Sequence, residues 1–279
     1  MTDVTLVTCH DHPSLPEDDQ YLIRTLGRRG IRTRIAIWND KDVDWSASSV
    51  TVLRAAWDSH LRPQEFQRWL TGLATETHLL NGASVASWNF DKAYLIELRQ
   101  RGIDVVPTVL ILSPSSIEPA LAELSTQDIV AKPRFGADSF GTTRMDASAS
   151  TIEKHFDTFG GQGGLLIQPF IAEIEQQRER SLVFIGGRYS HALYRNAFGS
   201  GLTRQTPDNF HIPTPDELRY CDHLFAALGV PLDYARVDLV PIDGTPTLME
   251  LELIDPSLFF HARPTAADRL AEQIALAFR

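Results

Sequence analysis

The stretch from Arg236 to Leu253 decides the fold, because it holds two alternating strands around a turn. It reads Arg236-Val237-Asp238-Leu239-Val240, then residues 241–246 with the pair Asp243-Gly244, then Leu248-Met249-Glu250-Leu251-Glu252-Leu253. An Asp-Gly pair between alternating strands predicts a β-hairpin. A period of two residues puts Glu250 and Glu252 on one face, and a three-residue loop would set Asp238 opposite Glu250. The sequence therefore predicts three carboxylates on one side of a hairpin.

Carboxylates this close repel one another unless cations or basic groups lie between them. A set of oxygen ligands favours hard ions such as Mg²⁺, so Asp238, Glu250 and Glu252 are candidate metal ligands. The alternative is an ordinary solvated polar face of a sheet. Residues 254–260 are largely apolar, which predicts that the hairpin lies in the interior of the fold and favours the metal site.

A second candidate site lies in the segment from Lys132 to Thr143, where a lysine ends an apolar strand and a loop with Gly and Ser follows. Such a loop can turn backbone N–H groups toward a phosphate, while the lysine adds positive charge. The spacing of Gly136 and Gly141 is that of a P-loop start. However, Thr142 and Thr143 stand where Lys-Thr is required and no helical pattern follows, so this is not a Walker loop. The alternative is a hairpin turn with a surface lysine.

Four arginines of the last third of the chain lie in or beside predicted strand ends: Arg195, Arg204, Arg236 and Arg263. Arginine is suited to planar, bidentate binding of carboxylate or phosphate oxygens. Each one alone is typical of a protein surface. Beside a carboxylate and metal face, they are candidates for stabilising a transition state or holding a product phosphate.

Composition and charge exclude several classes of protein. The chain has 279 residues and 43% hydrophobic residues, typical of a globular protein, and its formal charge of −10 has the wrong sign for coating nucleic acid or an anionic membrane. No apolar run is long enough to span a bilayer and no signal-peptide pattern is present, so we expect a cytoplasmic protein. Cys9 and Cys221 lie far apart, which predicts buried free thiols. The first strand-to-helix turn lacks Gly-x-Gly-x-x-Gly, which argues against NAD binding there.

The order of strand and helix patterns predicts an α/β (α+β) chain. Over residues 1–88, strands at 4–8, 33–37 and 50–54 alternate with helices at 19–29 and 63–74, which is typical of a parallel layer. A helix starting at Asn89 or Asp91 and a strand over 105–112 follow. The later short strands indicate antiparallel pairing, with helices over 117–124, 151–159, 215–228 and 265–278.

This motif order resembles the ATP-grasp superfamily over roughly residues 89 to 260. The resemblance rests on Asn89-Phe90-Asp91-Lys92, the strand with Pro107, Val130-Ala131-Lys132-Pro133 with its glycine-rich loop, Leu166-Ile167-Gln168-Pro169-Phe170-Ile171, and the carboxylate hairpin. Within the superfamily, residues 179–187, 190–192 and 236–259 are similar to the branch of the O-ureido-serine cyclo-ligases, the cycloserine synthetases. The implied fold has a Rossmann-like pre-ATP-grasp domain at 1–88 and two β-rich lobes, 89–168 and 169–279, that enclose a nucleotide.

The resemblance also implies roles for individual residues. ATP and Mg²⁺, with two ions expected, are the implied cofactors. The resemblance places Lys92 and Lys132 on the phosphates, under a mobile lid over 136–141 that includes Gly136, Ser139, Phe140 and Gly141. A hinge of Gln168, Phe170 and Ile171 would contact the adenine. Either Glu173 or Glu175 would contact the ribose, and Glu175 is the candidate that we keep. Asp238, Glu250 and Glu252 match the metal-ligand positions, and Arg195, Arg204 and Arg236 are the implied catalytic arginines.

Two departures from the family pattern bear on the reaction. Many members have Asn where this chain has Glu252, and several amide-forming relatives have a Gly-rich stretch where residues 205–210 follow Arg204. The second departure argues against ordinary peptide ligation. The implied chemistry is transfer of the γ-phosphoryl group of ATP to a carboxylate of a small amino-acid-like substrate, followed by displacement of phosphate by nitrogen in the same molecule.

Four questions stay open at the level of sequence. One alternative is an intermolecular ligase that joins an amino acid to an amine. Another is a nucleotide-binding regulator without turnover, against which the intact Lys132, Asp238 and Glu250 argue. No general base is identifiable, and the oligomeric state, a homodimer included, is undetermined. No nucleic-acid or membrane partner is expected.

Overall fold

The structure, a computed structural model, describes residues 2–195 and 209–278. Within these ranges the chain forms three sheets, of which the first is parallel, in the order β2-β1-β3-β4. Its strands are β1 (Thr2–Thr8), β2 (Thr33–Ile37), β3 (Ser48–Ala55) and β4 (His78–Leu79), joined by helices α1 (Gln20–Arg28) and α2 (Pro63–Leu73) and followed by α3 (Ala83–Phe90). The predicted parallel α/β layer is confirmed.

The second sheet is antiparallel, with strand order β5-β8-β6-β7. This part contains α4 (Tyr94–Gln100), β5 (Val109–Ile111), α5 (Ile117–Leu124), β6 (Asp128–Pro133), β7 (Thr143–Asp146), α6 (Ala149–Phe159) and β8 (Leu165–Pro169). The strands β6 and β7 form a hairpin, and the loop between them is the glycine-containing segment 134–142. This loop therefore projects from the end of the strand that carries Lys132.

The third sheet is also antiparallel, with strand order β11-β10-β9-β12-β13. Its part of the chain contains α7 (Glu173–Gln177), β9 (Glu179–Ile185), β10 (Arg188–Arg195), β11 (Phe210–His211), α8 (Pro215–Leu228), β12 (Tyr234–Ile242), β13 (Thr245–Glu252) and α9 (Thr265–Leu276). The predicted hairpin is confirmed as β12 and β13, which lie side by side at one edge of this sheet.

Two sequence-based boundaries were wrong. No helix opens at Asn89 or Asp91, because α3 ends at Phe90 and α4 begins at Tyr94. The side chain of Asn89 is committed to the backbone of β13, donating to the Leu251 carbonyl over 2.9 Å. The strand expected over 105–112 is reduced to β5, since Pro107 cannot donate to a ladder.

The first sheet packs against the third rather than standing apart from it. One buried cluster joins Leu6 of β1 and Leu26 of α1 to Val183 of β9 and Leu270 of α9. Asn81, which follows β4, donates to the carbonyls of Tyr234 and Leu253 over 2.9 and 2.8 Å. The amino-terminal domain is thereby fixed beside the carboxylate hairpin. The division of the chain at 88 and 168 stays a prediction.

A buried ion pair at this junction supports a prediction about stability. Arg54 of β3 is fully buried, donates to Asp19 over 2.7 Å and to the Pro256 carbonyl over 3.0 Å. We expect Arg54→Met to lower the free energy of unfolding by about 3–5 kcal/mol, because it leaves Asp19 buried without its partner. Urea unfolding measures this loss.

The exposed pair Arg28–Asp268, with 66% and 45% of its side chains accessible, provides the control. Arg28→Met should change the free energy of unfolding by less than about 1 kcal/mol. Equal effects of the two substitutions would contradict the role given to the buried pair.

Candidate active site

The carboxylate hairpin has the register that the sequence predicts, reached by a different turn. Asp238 pairs with Glu250 across the hairpin. The loop has two residues, Asp243 and Gly244, since Ile242 pairs with Thr245, and an irregularity between Asp238 and Leu239 shifts the register by one. The predicted three-residue loop was therefore wrong, while the predicted convergence is confirmed. A carboxylate oxygen from each of Asp238, Glu250 and Glu252 lies within 4.8 Å of the others.

Basic side chains hold these carboxylates together. Arg236 donates to Asp238 over 2.9 Å and to Glu252 over 2.7 Å. Lys92 pairs with Glu250, and Arg195 reaches Asp238 over 3.3 Å. Asp238 is fully buried and also accepts a bond from the Ser181 hydroxyl over 2.6 Å. Burial alone would raise the pKa of Glu250, but the Lys92 and Lys132 charges lower it well below its usual range.

The donor set suits a hard divalent cation. Oxygen ligands around Mg²⁺ or Ca²⁺ lie about 2.0–2.6 Å from the ion, so oxygens within 4.8 Å of one another can share one. Nitrogen and sulfur ligands are absent from this three-residue group, which disfavours zinc and copper. Glu250 and Glu252 also line the cavity described next, whereas Asp238 is fully buried and lies outside its lining.

A cleft of about 1000 Å³, part of it open to solvent, lies between the second and third sheets. Its lining includes most of the predicted nucleotide residues: Lys92, Lys132, Gly136, Ser139, Phe140, Gln168, Phe170 and Ile171, together with Arg195, Glu250 and Glu252. Lys132 is 8% exposed, so the alternative interpretation from the sequence, that it is a surface lysine, is wrong. Burial lowers the pKa of its ammonium to about 8, and its nitrogen has no hydrogen-bond partner in the described part of the chain. A buried cation without a hydrogen-bond partner among the described residues favours an anionic ligand.

The loop over 136–141 reaches across to the amino-terminal domain. The Phe140 ring lies between His60 and Phe159, with centroid distances of 4.6 and 5.5 Å. Gly141 lies outside the cleft lining and has a structural reason to be glycine, since its φ is +63° and a Cβ would come within 2.8 Å of Pro133 and 2.9 Å of Phe159. The loop is thus the turn of a β-hairpin, as one interpretation of the sequence had it, and also the roof of the cleft.

Some hydrogen-bonding groups of the predicted adenine hinge already have partners within the protein. Gln168 is buried and donates to the Thr108 hydroxyl over 2.8 Å. The Phe170 amide donates to the Asp128 carbonyl over 2.9 Å, and the Arg144 guanidinium lies 3.4 Å from the Phe170 ring centroid. Glu175 is 61% exposed, pairs with Arg144 over 2.8 Å and lies outside the cleft lining.

A second cavity adjoins the first and opens toward the amino-terminal domain. It shares Lys92, the loop residues 136–139, Arg195, Glu250 and Glu252 with the first cleft. The additional lining residues include His12, Trp57, His60, Tyr194, Arg236 and Asp255. The two cavities therefore meet at the carboxylates. Sequence reasoning missed His60, because nothing in its local sequence links it to residues some two hundred positions away.

Glu179 was also missed as a site residue. It lines the first cleft, pairs with Arg195 over 3.3 Å, and burial beside other carboxylates raises its pKa to about 7. The alternation of side chains along β9 was a usable signal, because it places Glu179 on the same face as Ser181. The structure pairs Ser181 with Asp238. Of the predicted arginines, Arg195 and Arg236 line the cavities, Arg263 is exposed, and Arg204 lies outside the described residues.

Comparisons with known proteins agree with this geometry. The family model for the N-terminal domain of D-cycloserine synthetase DcsG matches residues 4–81. The cycloserine biosynthesis protein DcsG of Streptomyces lavendulae is 30% identical over 301 aligned positions, covering 98% of this chain and 97% of that protein. The crystal structure of D-cycloserine synthetase DcsG matches with a TM-score of 0.88 at 27% identity, covering 99% of each chain.

Two more distant structures show the fold alone. A RimK domain ATP-grasp protein from Sphaerobacter thermophilus DSM 20745 has a TM-score of 0.71 at 20% identity, covering 99% of each chain. The ATP-grasp ligase PsnB, solved with a precursor variant, Mg and ADP, has a TM-score of 0.63 at 17% identity, covering 100% of this chain and 99% of its own.

The fold, the cleft and these matches define the class: the protein is an ATP-dependent carbon–nitrogen ligase with the ATP-grasp fold. ATP-grasp ligases use ATP and Mg²⁺, which fits the buried lysine and the oxygen ligands. Within this class, the chain belongs to the DcsG family. Across residues 2–195 and 209–278, no helix is long and apolar enough to cross a membrane.

Proposed function

We propose that this ligase is a cyclo-ligase, which uses ATP to activate the carboxylate of O-ureido-serine and closes the molecule on itself. The observation that carries the proposal is the junction of the two cavities at Lys92, Glu250 and Glu252. A nucleotide in one cavity and a small molecule in the other would meet at these side chains. The similarity to DcsG over almost the whole chain supports the choice of substrate.

The nucleotide contacts are proposed as follows. The phosphates are held by Lys92 and by Lys132, which is buried without a hydrogen-bond partner among the described residues. The loop with Gly136, Ser139 and Phe140 covers them, with Gly141 allowing its turn. The adenine lies against Phe170 and Gln168. The Phe170 amide already donates to the Asp128 carbonyl, so the hydrogen-bonding edge of the adenine faces the backbone of Ile171 instead. Glu175 at the ribose stays a prediction.

Asp238, Glu250 and Glu252 are the proposed metal ligands, with two ions expected. Bound Mg²⁺ supplies positive charge that stabilises the phosphoryl group in transfer. The residues around the site balance one another without ATP: the carboxylates Glu179, Asp238, Glu250 and Glu252 face the cations Lys92, Lys132, Arg195 and Arg236. ATP adds negative charge to a set in which the number of cations equals the number of carboxyl groups, so its binding favours additional cations.

Arg236 and Arg195 are proposed to act on the substrate side. Arg236 is held rigid by Asp238 and Glu252, and its Nη1 approaches the Ser257 carbonyl at 3.5 Å, facing the second cavity. A fixed guanidinium beside the reacting carboxylate stabilises charge without reorganising during the reaction. Arg195 lines both cavities and is placed to contact the phosphoryl group.

The proposed reaction has two steps. The γ-phosphoryl group moves to a carboxylate oxygen of the substrate and ADP leaves. The nitrogen attached to oxygen then attacks the same carboxyl carbon, forming the C–N bond while the C–O bond to phosphate breaks and the nitrogen loses its proton. The carbamoyl group stays on the ring nitrogen at this stage. Holding both ends of one molecule can contribute about 7–11 kcal/mol through proximity.

The test measures phosphate release from Mg²⁺-ATP with O-ureido-serine, with other amino acids and with amino acid and amine pairs, and identifies the products by mass spectrometry. We expect turnover with O-ureido-serine alone and a ring-closed product. Turnover only with a carboxylate and a second amine would establish an intermolecular ligase instead. Binding of ATP without turnover under any condition would establish a nucleotide-binding regulator.

A further inference from the structure

His60 has one ring nitrogen with a partner and one without. Its Nδ1 lies 2.7 Å from the Trp57 carbonyl oxygen. A carbonyl oxygen can only accept, so Nδ1 carries the hydrogen and Nε2 carries the lone pair. Nε2 is buried, and none of the described residues forms a hydrogen bond with it. The tautomer therefore leaves a buried, unused acceptor.

The residue that carries this acceptor belongs to the wall of the second cavity. His60 lies in a short 3₁₀ helix, Ser59–Leu61, after β3, and shares the cavity with Lys92, Arg236 and Glu250. The Phe140 ring of the covering loop lies against it at 4.6 Å. His60 thus lies between the second cavity and the loop that covers the cleft.

The charges around His60 favour its neutral form. Burial lowers the pKa of the imidazole below its usual range, and the nearby Lys92 lowers it further. The bond to Trp57 and the Asp58 carboxylate act in the opposite direction but do not reverse the shift. Asp138 of the covering loop and His12 also line this cavity. A neutral imidazole at neutral pH can accept a proton.

We propose that His60 Nε2 is the general base of ring closure. The inference rests on the proposed cyclo-ligase function. As the substrate nitrogen attacks the acyl phosphate, the electron pair of the nitrogen forms the C–N bond. The N–H bond breaks and its proton moves to Nε2 of His60. Phosphate leaves with the electrons of the C–O bond. Phosphoryl transfer from ATP releases no proton to a base and does not need His60.

Asp255 is the competing candidate, because its Oδ2 is also buried without a partner among the described residues and the residue lines the same cavity. Its carboxylate lies beside the Arg54 guanidinium and the Ala56 amide, and burial raises its pKa to about 7. These neighbours belong to the junction between the domains. Asp255→Asn is therefore the comparison variant.

The experiment uses the full chain with Mg²⁺-ATP and O-ureido-serine, and measures the two steps separately. Acyl phosphate is trapped with hydroxylamine, and the ring-closed product is followed by mass spectrometry. His60→Asn can still donate to the Trp57 carbonyl, while His60→Gln places an amide near the position of Nε2; neither accepts a proton at neutral pH. The exposed His223→Gln on α8 is the matched control.

We expect both His60 variants to form trappable acyl phosphate at the wild-type rate and to close the ring about 10²–10⁴-fold more slowly. The wild-type rate of ring closure should fall as the pH drops below the pKa of His60, and this acid limb should be lost in both variants. His223→Gln should behave as the wild type.

Equal loss of both steps in the His60 variants would indicate a structural role and overturn the proposal. Loss of the acid limb in Asp255→Asn, with His60→Asn unchanged, would move the base to Asp255. Absence of any ring-closed product from the wild type, with turnover on other substrates, would overturn the proposed function itself and the assignment of the base with it.

Discussion

Glu250→Gln is expected to lower turnover with Mg²⁺-ATP by about a thousandfold or more. Glu250 lines both cavities, pairs with Lys92 and is one of three carboxylates within 4.8 Å. A metal ion stabilises transferring charge by several kcal/mol, and each 1.36 kcal/mol corresponds to a factor of ten. An amide keeps the shape of the side chain but removes the charge. Steady-state phosphate release over a titration with Mg²⁺ measures the effect.

Asp243→Asn is the matched control, since it removes the same charge from the exposed turn of the same hairpin and asparagine tolerates the left-handed backbone there. It should retain wild-type turnover. Thermal unfolding of both variants establishes that each is folded. Full activity of a folded Glu250→Gln, with an unchanged requirement for Mg²⁺, would contradict the assignment of Glu250 as a metal ligand.

Lys132→Met is expected to weaken ATP binding while making the free protein more stable. The ammonium is buried, and its pKa of about 8 lies below the ordinary value of 10.5. A depression of this size corresponds to a penalty of roughly 3 kcal/mol for holding the charge in the free protein. Methionine fills the same space without that penalty. Charge-assisted bonds to phosphate contribute about 1.5–3 kcal/mol each, so the loss of affinity should be roughly 10- to 150-fold.

The lowered pKa of Lys132 sets how the free energy of unfolding and the affinity for ATP change with pH. The unfolded chain binds more protons than the folded chain between about pH 8 and 10.5, so the Lys132 penalty is present in full below pH 8 and disappears as the pH rises through that window. Above about pH 8 the lysine discharges in the free protein, and the affinity for ATP should fall. Both effects should be absent in Lys132→Met.

Titration calorimetry with the non-hydrolysed complex of ATP and Mg²⁺, and urea unfolding across this pH range, measure the two effects. Lys154→Met on the exposed side of α6 controls for the loss of one positive charge. An unchanged affinity of Lys132→Met for ATP would show that this lysine does not contact the phosphates.

Local pattern was sufficient for the carboxylate hairpin. Alternation put Glu250 and Glu252 on one face whatever the turn, and the Asp-Gly pair indicated where the chain reverses. The predicted loop length was wrong because an irregularity in the ladder between Asp238 and Leu239 adds the residue that the turn lacks. Propensity cannot locate such an irregularity. The boundary at Asn89 failed for a related reason, since its side chain binds the backbone of a strand more than 150 residues away.

The sequence by itself indicated the class of chemistry: three carboxylates on one strand pair, a lysine at the end of a strand and a glycine-containing loop are local features, each encoded within a few residues. Only the tertiary structure decided that Lys132 is buried without a hydrogen-bond partner in the described part of the chain, that Phe140 covers His60, and that the two cavities meet at Glu250. These features depend on packing between distant parts of the chain, such as the bonds from Arg54 to the Pro256 carbonyl and from Asn81 to the Leu253 carbonyl. Contacts between residues so far apart in the sequence leave no periodic pattern from which they could be predicted.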